Sequence, residues 1–256
     1  MINRIRKIAL GSTLVALLLN ARADDFLIGT HGPTDWQLDD RITYSEKSLD
    51  NMKINTSAHT TVVKHWTGDK FGWFGIGVLP YKHVRKNGEE NSGFGDFTLK
   101  LGPRGYTEFR DKSSFHWILN GGISFPTGDS SSKVNLGTGE FDTKLGFTTT
   151  YLSENKKSEL TTSFEYTVPE QKTRPDEIAT GFIIGKQIGP KIRLGCGMTG
   201  LTKLNEQGLD YSLNARVLLR YNLSKKVHIQ LLGETSVAEH NMPHGFTIGT
   251  FVRYNF

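Results

Sequence analysis

Three observations predict an all-β fold, a transmembrane antiparallel up-and-down β-barrel of about twelve strands. The chain closes on a period-two strand with an aromatic end. Segments of the same period recur along it, with aromatic residues ten apart. Tight turns alternate with longer links between them.

The closing strand is His244 to Phe256. Counting back from Phe256, the residues Tyr254, Val252, Thr250, Ile248 and Phe246 can face hydrocarbon, whereas Asn255, Arg253 and Thr247 can face water. Tyr254 and Phe256 resemble the C-terminal signal read by the bacterial barrel assembly machinery.

The same alternation runs through earlier segments. Tyr211, Leu213, Ala215, Val217, Leu219 and Tyr221 share a face opposite Ser212, Asn214, Arg216, Arg220 and Asn222. Val227, Ile229 and Leu231 alternate with His228, Gln230 and Glu234, and Phe115, Trp117 and Leu119 with His116 and Asn120. Phe115 and Phe125, Phe141 and Tyr151, and Tyr211 and Tyr221 bracket their segments at spacings of ten. About ten residues make one tilted spanning strand, so these rings fit two interfacial girdles.

Strands are expected near 36–45, 53–66, 70–83, 94–106, 114–126, 139–152, 157–168, 177–188, 191–203, 209–222, 225–238 and 244–256. Asp39-Asp40-Arg41 and the polar stretch Asn55 to Thr61 make the first two weak. Thr67 to Lys70, Ser153 to Lys156, Gly189-Pro190 and Leu223-Ser224 read as tight turns. Val84 to Gly93, Thr127 to Thr138 and Pro169 to Asp176 read as longer outside links.

The N-terminus reads as a signal peptide, residues 1–23. Arg4, Arg6 and Lys7 precede an apolar stretch, Ile8 to Leu19, and Ala21-Arg22-Ala23 supplies a small–x–small cleavage pattern. Residues 24–256 then form one outer-membrane β-barrel domain. Asp24 to Asp35 are less patterned and are expected at the periplasmic mouth.

The whole chain has 31 Lys+Arg and 26 Asp+Glu; the leader holds four of the bases and no acid, which leaves 27 against 26. That balance gives no case for nucleic acid. The single Cys196 excludes an internal disulfide, and its apolar neighbours Leu194 and Met198 favour a lipid-facing or packed residue. No His/Asp/Glu spacing suggests a metal, and no cofactor is expected.

Three segments carry a family resemblance: Gly93-Phe94-Gly95-Asp96, then Ile123 to Asp129 running through Pro-Thr-Gly-Asp, then Leu136 to Asp142. In this order and spacing the chain resembles the outer-membrane barrels named for the meta-pathway of phenol degradation. The resemblance implies a channel or transporter for small, hydrophobic or aromatic compounds. The alternative is a structural or surface-interaction barrel without transport activity. Read without the family, Gly93 and Gly95 suit a bend at a rim, Asp96 faces inward, Pro126 sits where a strand leaves the sheet, and Asp129 caps a loop.

Alternation places Asp96, Lys100, Arg104, His116, Asp142, Lys144, Arg193, Arg216, Arg220, Glu234 and Arg253 in the lumen, as candidates for a solute path. With Asp39, Glu140, Glu159, Glu165 and Arg41, the inward set is seven acids and eight bases, a near balance that predicts no ion selectivity. Enzymatic activity is not expected, because none of the eight histidines lies in a recognisable Ser-containing motif. The expected surroundings are outer-membrane lipid and lipopolysaccharide, the assembly machinery and a small-molecule solute.

Overall fold

The computed structural model describes residues 35–256, except 51, 69, 172, 173, 206, 207 and 225. The expected leader and the segment that follows it, to residue 34, lie outside the described residues.

Thirteen strands account for most of the chain: β1 (Asp35–Leu49), β2 (Met52–Trp66), β3 (Phe71–Lys86), β4 (Glu89–Phe94), β5 (Phe97–Glu108), β6 (Ser114–Phe125), β7 (Asp142–Leu152), β8 (Ser158–Pro169), β9 (Asp176–Gln187), β10 (Ile192–Asn205), β11 (Gly208–Asn222), β12 (Val227–His240) and β13 (His244–Asn255). Sequential neighbours pair antiparallel, except that β5 pairs with β3 and not with β4, and β1 pairs with β13 along Gln37↔Asn255 to Ser48↔His244. The ring therefore closes over twelve strands, with β4 as an addition on β3. Closure removes the unpaired sheet edges that hydrocarbon would not tolerate.

The sidedness of the wall follows from the period of two. On β7, Asp142 and Lys144 are buried while Leu145 is 53 % exposed; on β11, Ser212, Asn214, Arg216 and Arg220 are buried while Val217 is 58 % exposed. Most of the large apolar side chains point away from the interior, and polar ones fill it. That distribution is the inverse of a soluble core and suits a wall between lipid and a polar lumen. Phe141, Tyr151, Tyr211 and Tyr221 all lie on the outside, as the girdle spacing predicts. Cys196 is exposed there too.

Two connections differ from expectation. Val84 to Gly93 is not a long link: β3 runs to Lys86, turns at Asn87-Gly88 and returns as β4. Both turn residues have positive φ, 51° and 89°, which is what a two-residue hairpin turn of this hand needs. The break between β4 and β5 falls at Gly95-Asp96, where Gly95 N–H donates to Pro80 O at 2.8 Å. The contrast between short and long connections is also weaker than the sequence suggests. The β1–β2 and β12–β13 links are as tight as the turns at the opposite end, and the long link is 126–141. It lies at the end opposite the C-terminus, so the C-terminal end faces the periplasm.

The first two strands are full partners despite their polarity. β1 and β2 pair from Asp35↔Trp66 to Leu49↔Met52. Their weak sequence signal has a physical source: β2 carries Ser57, His59 and Thr61 on its outer face and Val62 and Trp66 within. His59 is hydrogen-bonded on that outer face to Asp40 of β1, so the two polar groups satisfy one another.

Candidate functional site

At the periplasmic end of the lumen, Asp39 collects three cations. Arg253 donates from Nε at 2.8 Å and from Nη2 at 2.9 Å, Arg41 from Nη2 at 2.9 Å, and Lys64 Nζ stands 3.7 Å away. Gln37 Nε2 adds a fourth donor at 2.6 Å. Arg41 also lies over the Phe251 ring, 5.2 Å from its centroid. Beside this hub, Arg193 Nη1 pairs with Glu159 at 2.7 Å. Arg104 donates to the backbone carbonyls of Thr67 and Gly68, tying the β2–β3 turn to the wall. His116 packs on the Tyr106 ring with centroids 4.6 Å apart.

Further along the axis, Glu165 bridges Lys100 and Lys144, and Lys144 also donates to Thr167 Oγ1 at 3.3 Å. On the facing wall Glu234 accepts from Arg216 Nε at 2.8 Å, Arg216 Nη2 at 2.6 Å and Thr199 Oγ1 at 3.1 Å. Near the outer end, Arg174 of the β8–β9 link reaches in to Glu140 and Asp142. Every lumen candidate named from the sequence thus faces the interior.

The expected charge balance does not hold. Alternation missed Lys47, Lys64, Lys82, Lys86 and Lys203 because the β1–β3 signal is weak or, in β10, the charge lies at the strand end; Arg174 comes from a loop. Only Glu177 and Asp210 offset them, so the inward set becomes fourteen bases against nine acids among the described residues.

Four apolar clusters interrupt this polar lining among the described residues, and two of them are made of strand residues alone. Val62, Trp66, Phe74, Ile76, Val78 and Ile118 form one inward cluster on β2, β3 and β6. Ile183, Leu218, Leu232 and Phe251 form another on β9 and β11–β13. The sequence pattern gives no notice of either, since a residue of the wrong polarity within an alternating strand reads as noise.

The motif residues near the outer mouth have a shared task. The 126–141 link folds inward, and its Val134 and Leu136 bury against Ile54 of β2 and Val84 of β3. Asp96 holds it there, accepting from Gly128 N at 3.1 Å, Thr138 N at 2.6 Å and Thr138 Oγ1 at 2.8 Å. Lys82 Nζ donates to Leu136 O at 2.9 Å. A side-chain carbon at Gly137 would lie 2.2 Å from Asp96 Oδ1, which is why glycine stands there. Asp129 organises the tip: it accepts from Ser131 N at 2.9 Å, Ser131 Oγ at 2.8 Å, Asn91 Nδ2 at 3.1 Å, and the Ser132 hydroxyl. These hydrogen bonds, that of Ser132 first, hold its carboxyl well below the usual carboxylate range.

At the outer rim, Ser48 Oγ is 2.8 Å from His244 Nε2, and Ser92 Oγ is 2.6 Å from His83 Nδ1. The carboxylates beyond them, Glu239 and Glu90, lie 4.0 Å from the other ring nitrogen. That is outside hydrogen-bond reach. Among the described residues no group of three His, Cys, Asp or Glu could hold a metal ion. At the C-terminus, Tyr254 and Phe256 stack edge to face on the outside, with centroids 4.7 Å apart.

The family model described as the putative MetA-pathway of phenol degradation matches residues 39–253. No curated protein matches the chain. Among solved structures the chain is similar to an outer membrane channel from Pseudomonas putida F1, at 14 % identity and a TM-score of 0.71, over 91 % of this chain and 98 % of that one. It is also similar to the translocator domain of the autotransporter NalP from Neisseria meningitidis (10 % identity, TM-score 0.53, 91 % and 92 % covered). The NanC porin matches at 11 % identity and a TM-score of 0.51, over 85 % and 98 %. The fold is that of outer-membrane barrels, and the bacterial outer membrane is its location.

Proposed function

Because the chain belongs to the family described as the putative MetA-pathway of phenol degradation, we propose that it is an outer-membrane channel for small solutes with hydrophobic or aromatic bodies. The observation that carries this reading is the pair of inward apolar clusters, around Phe74 and around Phe251. A water-filled pore has a polar interior throughout. An apolar patch inside a spanning barrel instead gives a hydrophobic solute somewhere to leave water. The paired charges of Lys100, Glu165, Arg216 and Glu234 are then the polar frame between the clusters, and transport rather than catalysis is the activity.

A second reading, a barrel that presents its outside without passing solute, draws on the inward fold of the 126–141 link at the outer mouth. One experiment separates the two. Protein reconstituted into liposomes should admit uncharged aromatic solutes faster than sugars of equal size. Impermeability to both would support the second reading. Assembly through Tyr254 and Phe256, and contact with lipopolysaccharide at the outer girdle, belong to either.

A further inference from the structure

The unusual group in the lumen is Arg220. It lies near the periplasmic end of β11, it is 4 % exposed, and the acceptor of its Nε–H is Asn222 Oδ1 at 2.8 Å. No carboxylate among the described residues makes an ion pair with it. A buried guanidinium without an anion is a costly arrangement, since it has lost water and gained no opposite charge.

Its neighbours do not supply that charge. Arg193 is its cross-strand partner on β10, and Gln230 its partner on β12. Two strands away, Arg253 is engaged by Asp39. The acids in reach are both committed: Glu159 to Arg193 and Thr161, and Asp39 to the hub already described. Among the described residues at this end of the lumen, Arg41, Lys64, Arg193, Arg220 and Arg253 face Asp39 and Glu159, five cations to two anions.

Two further donors point the same way. Gln230 Nε2 is buried and has no hydrogen-bond partner. His228 accepts at Nε2 from Asn255 Nδ2, 3.1 Å away, so the neutral ring carries its hydrogen on Nδ1; that atom too is buried and unpartnered. Buried donors without acceptors are rare in folded proteins and ask for an explanation. Here three side chains on adjacent strands, all inward-facing, share one deficiency, an acceptor with negative charge.

The surface beside them is apolar. Leu218 precedes Arg220 by two residues on the same face, Leu232 follows Gln230 likewise, and Phe251 is the β13 partner of Gln230. Donors for an anion thus stand against a patch for a hydrocarbon body. We propose that Arg220, Gln230 and His228 form a binding site for the carboxylate of a small organic acid, whose apolar part rests on Leu218, Leu232 and Phe251. The planar guanidinium matches a carboxylate edge and tolerates partial desolvation better than an ammonium. An uncharged analogue brings fewer acceptor lone pairs and no negative charge for Arg220, which is where discrimination arises.

This site deepens the channel reading and rests on it for its role, but binding can be measured separately from passage. In lipid nanodiscs, titration of the whole protein with sodium benzoate should show one site, with benzyl alcohol bound more weakly and benzylammonium excluded. Arg220→Met should weaken benzoate by about tenfold or more and leave benzyl alcohol unchanged; Gln230→Leu should weaken benzoate less. Because Arg220→Met removes an unpaired buried charge, the variant should keep its heat-modifiable gel migration and resist heat at least as well as the parent. Equal affinity of the parent for benzoate and benzyl alcohol, or an Arg220→Met variant that binds benzoate like the parent, overturns the site. Benzoate bound as described by a protein whose liposomes admit no solute would keep the site and overturn the channel. Solute uptake without any preference for the carboxylate would do the reverse.

Discussion

Asp39 and Arg253 stand directly opposite one another on the first and last strands, and their side chains meet in a two-point contact, Oδ1 with Nε at 2.8 Å and Oδ2 with Nη2 at 2.9 Å. The pair is buried and sits on the seam where the chain closes into a ring. Closure of that seam is the contact of highest sequence separation in the fold, and a geometrically demanding ion pair there favours the right register of β1 on β13. A slip of one residue would turn Asp39 and Arg41 together towards lipid and take the shared acid away from Lys64 and Arg253.

Asp39→Ala should therefore be among the most damaging single changes to stability. It takes the shared carboxylate away from Arg41, Lys64 and Arg253 in the interior, at a cost of about 3–5 kcal/mol. Unfolding in urea, followed by loss of heat-modifiable migration, measures it. The double variant Asp39→Leu with Arg253→Met should recover part of that loss, because it removes a buried charge along with its partner. A double variant as unstable as the single one would show that the hub does not act through its charges.

Asp96 is predicted to anchor the inward link rather than the barrel wall. Asp96→Ala removes the acceptor for Gly128 N–H, Thr138 N–H and the Thr138 hydroxyl. Hydrogen bonds to a charged group contribute about 1.5–3 kcal/mol each, so the link should open locally while the twelve-strand ring persists. Trypsin cleavage after Lys133, which is exposed on the link, should speed up at least about tenfold. Gly137→Ala should do the same by crowding Asp96 Oδ1. Unchanged cleavage in both variants would remove Asp96 from this role.

How far the sequence foretold this arrangement depends on the kind of signal each part left. Strands such as β11, with Tyr211 to Tyr221 apolar outside and Ser212 to Arg220 polar within, are legible because lipid and lumen impose opposite polarity at every second residue. β2 is legible in position but faint in pattern, since His59 and Thr61 face outward and Val62 and Trp66 inward. β4 left a signal that the alternation reading passed over, the Asn87-Gly88 turn. The site was legible in part: alternation names Arg220 and Arg253 as inward. It says nothing of which acids lie within reach of which cation. That depends on the register across four strands, and only the register leaves Arg220 without a carboxylate while Asp39 serves three cations.

The inward link should respond to acid through Asp129. Hydrogen bonds from Ser132, Ser131 and Asn91 depress its value in the folded protein below the roughly 3.9 of a free aspartate. A depressed carboxylate contributes stability that is fully present above the unfolded value and is lost as pH falls through the folded one. The link should thus be insensitive to pH between about 7 and 5 and loosen progressively below about 4. Hydrogen exchange at Ser131, Leu136 and Gly137, whose amides the Asp129 side chain or carbonyl binds, is the measurement. Asp129→Asn should show faster exchange at neutral pH and little further change on acidification. Acid loosening of equal size in that variant would assign the effect to another group.

The last residue should matter to assembly more than to the finished barrel. Phe256 N–H donates to Trp36 O at 3.0 Å, and its ring stacks on Tyr254, but the side chain is 62 % exposed and lies beyond β13. Deleting it removes one backbone hydrogen bond and one exposed ring contact, about 1–2 kcal/mol together, from a ring already closed by the Gln37 to Ser48 ladder. Protein refolded in detergent without Phe256 should consequently melt close to the parent. In cells the same deletion should lower the amount recovered in the outer membrane severalfold, on the proposal that an assembly factor reads the edge-to-face Tyr254–Phe256 pair on the lipid side. Phe256→Tyr keeps the ring and should restore most of the yield; Phe256→Ser should not. Equal membrane yields for the deletion and the parent would leave Phe256 with only its small part in the fold.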